Sequence, residues 1–159
     1  MTAIAIRPER PDHPVAMALL DELDRYLGGL YEPEANHILD VQALLAPEIR
    51  FFGAWQGERL VACGAVRRMA AESETSGQPY GEIKRMYVHP DARGQRIAER
   101  LLNSLEDALR SDGLRQALLE TGHLQTQALR LYERTGYVRR GPFGGYPDNG
   151  LSVFMGKAL

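Results

Sequence analysis

Apolar positions along the chain recur with a period near 3.6 in some stretches and near 2 in others, and the changes of period mark its elements. "IAIRP", residues 4–8, reads as a short edge strand closed by Pro8, because proline cannot donate to a following ladder. From Val15 to Leu27, Ala16, Leu19, Leu20, Leu23 and Leu27 fall on one helical face, and Gly28 and Gly29 end the run. "LYEPEANHILDVQALLAPEI" is irregular, with Pro33 and then a short helix from about Leu39 to Leu45. "RFFGAWQGERLVACGAVRRM" holds two strand-like runs around "QGE", a hairpin pattern, and "AAESETSGQ" is a loop. "GEIKRMYV" alternates, with Ile83, Arg85 and Tyr87 predicted on one side and Lys84, Met86 and Val88 on the other.

After "HPDARG", Ile97, Leu101, Leu102, Leu105, Ala108 and Leu109 form an apolar helical stripe that stops at Gly113. "LRQALLE" reads as a strand, "LQTQALRLYERTG" as a short helix ending at Gly136, and "LSVFMGKAL" as a last strand after the turn-rich "GPFGGYPDNG". The order predicts a single α/β domain over residues 1–159, with a mixed central β-sheet and helices on both faces, since each apolar stripe needs a layer to cover it. Glu82 through Leu119 has the length and order of a parallel βαβ crossover.

Composition adds exclusions. The 159 residues suit one domain, and 19 basic against 21 acidic side chains give a formal charge of -2, which argues against nucleic acid as a partner. No run approaches the ~18 apolar residues of a membrane span, and "MTAIAIRPERPD" lacks the basic-then-apolar order of a signal peptide. The single Cys63, within "LVACGAV", has no partner for an intrachain disulfide and reads as a buried thiol, which points to the reducing cytoplasm. Four scattered histidines make no metal motif.

The strand-to-helix turn at "HPDARGQRIA" carries the first functional signal. First-turn amides have no intrahelical partner and the helix dipole favours an anion there, so a phosphorylated ligand is expected. A P-loop is absent, and a dinucleotide fingerprint would need three spaced glycines where only Gly94 stands. What remains is a donor-rich turn flanked by Arg93 and Arg96, a cradle suited to a pyrophosphate.

The neighbouring residues extend the pattern. "MYVHPDARGQRIAERLL" resembles the acyl-CoA-binding motif of the GCN5-related N-acetyltransferase (GNAT) superfamily, Arg/Gln-x-x-Gly-x-Gly/Ala after a bulged strand, with Arg93 first and Ala98 last. Arg96 departs from it by standing at the usual middle glycine. A helical first turn needs no positive φ, so Arg96 is expected at negative φ, adding a phosphate contact. "QTQALRLYERTGY" is similar to the later family motif at Ala128, Tyr132, Glu133, Gly136 and Tyr137, with Gln125 where asparagine is frequent. The resemblance covers the chain from about Phe51 onward.

The resemblance implies a GNAT fold in which the strands bearing Met86 to Val88 and Ala117 to Thr121 splay apart around acetyl-CoA as co-substrate. It assigns cofactor contacts to Met86, Tyr87, Val88, Arg93, Gly94, Gln95, Arg96, Ile97, Ala98 and Gln125. The reaction implied is acetyl transfer to an amine of a small molecule, without a metal. Tyr132 takes the place of the proton donor to the departing thiolate, and Glu82 that of a carboxylate base acting through water. Glu120 is its rival, with Thr121 and His123 beyond, and His89 reads as a turn residue. The acceptor side is expected at "LYEPEANHILD" and "GPFGGYPDNG", with Tyr31, Glu32, Glu34, His37 and Tyr146 as lining. A protein acetyltransferase shares every motif and would be marked by an open groove. A degenerate acyl-CoA-binding module is the other alternative, motivated by Arg96 and Gln125. A homodimer is common in the family.

Overall fold

The computed structural model describes residues 3–159. Its strands are β1 (Ile4–Pro8), β2 (Ile49–Gln56), β3 (Arg59–Met69), β4 (Tyr80–Val88), β5 (Gln116–Gly122), β6 (Val138–Arg140) and β7 (Ser152–Ala158). The helices are α1 (Pro14–Gly28), α2 (Val41–Leu44), α3 (Ile97–Ser111) and α4 (Thr126–Arg134). Among the described residues one seven-stranded sheet runs β1-β2-β3-β4-β5-β7-β6, with β4 and β5 its only parallel pair.

The helices divide between the two faces as their stripes require. Ala16, Leu19 and Leu20 of α1, with Leu44 of α2, pack on Phe51, Leu60, Cys63 and Ala65. Leu102, Leu105 and Leu109 of α3 pack with Val66, Ile83 and Leu119, and α4 adds Leu129, Leu131 and Tyr132 to that layer. Each fully buried leucine contributes roughly 1.5–3 kcal/mol relative to exposure, so the α3 stripe fixes that helix and its N-terminus firmly on the sheet. The α/β architecture with a mixed sheet and covered faces is the one predicted. β6, "VRR", carries no alternation over its three residues and was not expected.

β4 and β5 pair at three positions, Gly81 with Ala117, Glu82 with Leu118 and Ile83 with Leu119, and then part. Their distal ends, Lys84 to Val88 and Glu120 to Gly122, make no ladder with each other. A β-bulge lies at the point of divergence. The β3/β4 register shifts between Cys63 and Ala65, and Arg85 sits at φ 59°.

The bulge corrects the predicted alternation. Ile83 packs under α3, whereas Lys84 and Arg85 both turn to the α1 side: Arg85 donates to Asp24 at 2.6 Å, and Lys84 donates to the His37 carbonyl at 3.0 Å. Met86 returns to the α3 side, where a Cβ on Gly64 would meet its Sδ at 2.6 Å. Ile83 and Arg85 therefore lie on opposite faces, because an extra residue in one strand puts two consecutive side chains on the same side.

Candidate active site

Beyond the divergence, the distal half of β4, the N-terminus of α3 and α4 enclose a groove of ≈ 770 Å³. Met86, Tyr87 and Val88 form one wall, Arg93, Gly94, Arg96, Ile97 and Ala98 the end, and Gln125 and Tyr132 the other wall. Arg93 is braced, its Nε donating to the Val88 carbonyl at 3.0 Å and its guanidinium lying 5.7 Å from the Tyr87 ring centroid. Gln95 is the predicted contact whose side chain turns elsewhere: it donates to the Ala92 carbonyl and accepts from Gln56. His89 acts as a turn residue, its Nδ1 accepting from the Asp91 amide at 3.1 Å.

Arg96 departs from the sequence expectation. It is the residue preceding the first turn of α3, and it stands in the left-handed region at φ 59°, ψ 25°. Its side chain caps no amide of the helix. The conformation explains why the motif prefers glycine at this place. It also leaves the first amides of α3 free to meet an anion, beside the exposed Arg93 and Arg96. A pyrophosphate fits these donors and this charge.

A second space of ≈ 110 Å³ opens between the parted strands under the 31–38 segment. Met86, Gln125, Ala128 and Tyr132 line both spaces, so the groove and the cavity meet at them. Tyr132 is 6% exposed, and burial raises its phenol above the usual value. Of the predicted acceptor lining, Tyr31 and His37 reach the cavity while Glu32, Glu34 and Tyr146 are not among its walls. Tyr31 is fixed by the Leu124 amide, which donates to its hydroxyl at 2.9 Å.

Charged groups also line the cavity. Glu120 lines it from β5, accepting from Ser152 Oγ at 2.7 Å, with His37 Nδ1 at 3.4 Å. Lys84 lines it from β4, only 7% exposed, donating to Tyr146 Oη at 2.7 Å. Burial pushes the Lys84 ammonium below its ordinary value, against the pull of Glu82 and Glu120. Glu82 is 1% exposed and lies behind this wall, paired with Arg67 at 2.9 Å, accepting from the Tyr146 hydroxyl, and 3.7 Å from Lys84 Nζ. Burial, then Glu82, raises the Tyr146 phenol. Lys84 escaped the sequence reading because a lysine in an alternating strand looks like a solvated position. His123 leans on Tyr31 at 6.2 Å between ring centroids and is not a cavity wall.

Among the described residues no cluster of three or more His, Cys, Asp or Glu could hold a metal ion, and no helix is long and apolar enough to cross a membrane. The family model for the acetyltransferase (GNAT) family matches residues 16–137. An IAA acetyltransferase of Azospirillum brasilense is 46% identical over 159 residues, covering 100% of both chains. The uncharacterized N-acetyltransferase YsnE of Bacillus subtilis is 33% identical over 129 residues, 80% of this chain and 81% of that one. Among solved structures, an assigned acyl-CoA N-acyltransferase of Klebsiella pneumoniae superposes with a TM-score of 0.78 at 32% identity, covering 98% and 97% of the chains. The PaiA N-acetyltransferase of Thermoplasma acidophilum, solved with coenzyme A, shares the fold at a TM-score of 0.73 and 16% identity, covering 99% of each.

Proposed function

The chain belongs to the acetyltransferase (GNAT) family and is an acetyl-CoA-dependent N-acetyltransferase, and from that premise we propose that its acceptor is a primary amine of a small molecule. The observation that carries this reading is the junction at Tyr132, where the long groove opens into a cavity of ≈ 110 Å³. A protein acceptor would need an open channel on both sides of that point. The Azospirillum relative is named for IAA rather than for a protein acceptor, which agrees with a small cavity.

Acetyl-CoA supplies the activated thioester carbonyl, and the remaining requirements fall on this chain. Arg93, Arg96 and the open amides of α3 would hold the pyrophosphate, and the unpaired edge of β4 from Met86 to Val88 would align the pantetheine arm. An alkyl ammonium has a reference pKa near ~10.4, so the acceptor must lose a proton before its lone pair can attack. Glu120 faces the cavity and takes that proton directly or through one water; Glu82 acts at one remove, through Tyr146 and Lys84. As the nitrogen–carbon bond forms and the carbon–sulfur bond breaks, the phenolic proton of Tyr132 goes to sulfur, and the second proton shed by the acylated nitrogen restores the Tyr132 phenol. Burial raises that phenol and keeps it protonated at neutral pH, so its hydroxyl is present as a donor toward the departing sulfur.

The test is calorimetric titration with acetyl-CoA, using CoA and ATP as comparators, followed by an amine screen read by thiol release. Saturable binding of the CoA compounds that ATP does not reproduce, with turnover on small amines, is the expected result. Turnover confined to peptides or proteins would overturn the small-molecule reading.

A further inference from the structure

Lys84 and Glu120 stand on the two parting strands, carry opposite charges and both line the acceptor cavity. Among the described residues they form no ion pair with each other. The other cations nearby are committed elsewhere, Arg67 to Glu82 at 2.9 Å and Arg85 to Asp24 at 2.6 Å. Lys84 has three donors; two go to the His37 carbonyl and Tyr146 Oη, and Glu82 lies 3.7 Å away, beyond ordinary hydrogen-bond reach. Lys84 thus keeps one donor without a hydrogen-bond partner and shares Glu82 with Arg67 as its counter-charge, while Glu120, which accepts from Ser152 Oγ and lies 3.4 Å from His37 Nδ1, presents a carboxylate to the same small space.

We propose that the acceptor is a zwitterion of the α-amino acid type, its carboxylate paired with Lys84 and its amine facing Glu120. This rests on the small-molecule acetyl-transfer reading above. The cavity accepts one charge of each sign, so a second ammonium on a polyamine would be driven against Lys84 and left without a partner. A plain alkyl amine would leave the Lys84 ammonium buried and only partly paired, a cost the carboxylate removes. At the mouth, Ile38 and Leu151 line the cavity while exposing 36% and 38% of their surface, and Leu124 exposes 46% beside Tyr31. These apolar groups suit an apolar amino-acid side chain lying outward from the charged end.

The experiment compares three sets of acceptors by thiol release with acetyl-CoA: leucine, methionine and phenylalanine; their amides; and isoamylamine, 2-phenylethylamine and spermidine. Wild-type protein is expected to prefer at least one amino acid over its amide and over the amines by about 10- to 100-fold in kcat/KM, the range for a hydrogen bond to a buried charge. Lys84→Met should bring that ratio close to one, whereas Lys84→Arg, which keeps the charge, should retain most of it. Acetyl-CoA titration of each variant reports whether the fold is intact. If Lys84→Met does not bind acetyl-CoA, the wild-type ratio together with Lys84→Arg decides the question. Equal or faster turnover of the amides, the plain amines or spermidine would overturn the zwitterion assignment while leaving the acetyltransferase reading intact. No turnover of any amine would instead remove the reading on which it rests.

Discussion

Replacing Arg96 by glycine separates two contributions that the phosphate turn combines. The residue sits at φ 59°, ψ 25°, a region that costs a residue with a β-carbon about 1–2 kcal/mol. Glycine occupies it freely but brings a more flexible unfolded chain, worth roughly 0.5–1 kcal/mol in the opposite direction. The net is a gain of about 0.5–1 kcal/mol, or roughly 1–4 °C in Tm for a chain of this length. The same change removes a cation from the wall of the groove. A solvated charge near a phosphate is screened, so acetyl-CoA binding should weaken only about 2- to 5-fold, and less at high salt. Differential scanning calorimetry and titration calorimetry on one preparation read both effects. A lower Tm would refute the strained backbone, and tighter binding of acetyl-CoA would show that the side chain crowds the site.

Three further outcomes follow from the site. A Cβ on Gly122 would lie 1.8 Å from the Tyr31 hydroxyl, so Gly122→Ala should displace that ring, cost about 1–3 kcal/mol and raise the acceptor KM while sparing acetyl-CoA affinity; unchanged KM would refute the packing. Glu120→Gln should lower kcat/KM by about 10²- to 10⁴-fold with little change in Tm, whereas Glu82→Gln leaves Arg67 and Lys84 without their counter-charge and should cost about 3–5 kcal/mol of stability; the reverse pattern in paired Tm and rate measurements would exchange their roles. Burial raises the phenols of Tyr80, Tyr132, Tyr137 and Tyr146 above their unfolded value of about 10. Above that pH the unfolded chain binds fewer protons than the native one, so stability falls as pH rises through the region, and phenolate absorbance should show these four ionising only with unfolding.

The helices were legible because their apolar stripes are regular: Leu19, Leu20 and Leu23 in α1 and Leu101, Leu102, Leu105 and Leu109 in α3 are buried as their spacing predicts. The open N-terminus of α3 was legible for the same reason, since a helix fixed by its stripe presents its first amides in a known direction. Two features depend on backbone rather than on residue type. Arg85 and Arg96 both take positive φ, and nothing in the identity of an arginine signals that. The bulge at Arg85 turns Arg85 to the side of Lys84, which lines the cavity although a lysine in an alternating strand reads as solvated. Glu82 and Glu120 were both named as carboxylates. Their separation into a sealed and a cavity-facing group depends on Tyr146 and Arg67, which are distant in sequence.

The central claim is that Tyr132 stands where the acetyl-CoA groove meets the acceptor cavity and gives its proton to the leaving sulfur. Tyr132→Phe keeps the ring and removes only the hydroxyl, so the most direct test is kcat by thiol release alongside the acetyl-CoA Kd by calorimetry. The account predicts a fall of about 10²- to 10⁴-fold in kcat with Kd within about twofold of wild type. Unchanged kcat, or an equal loss in kcat and affinity, would make Tyr132 a packing residue and contradict it.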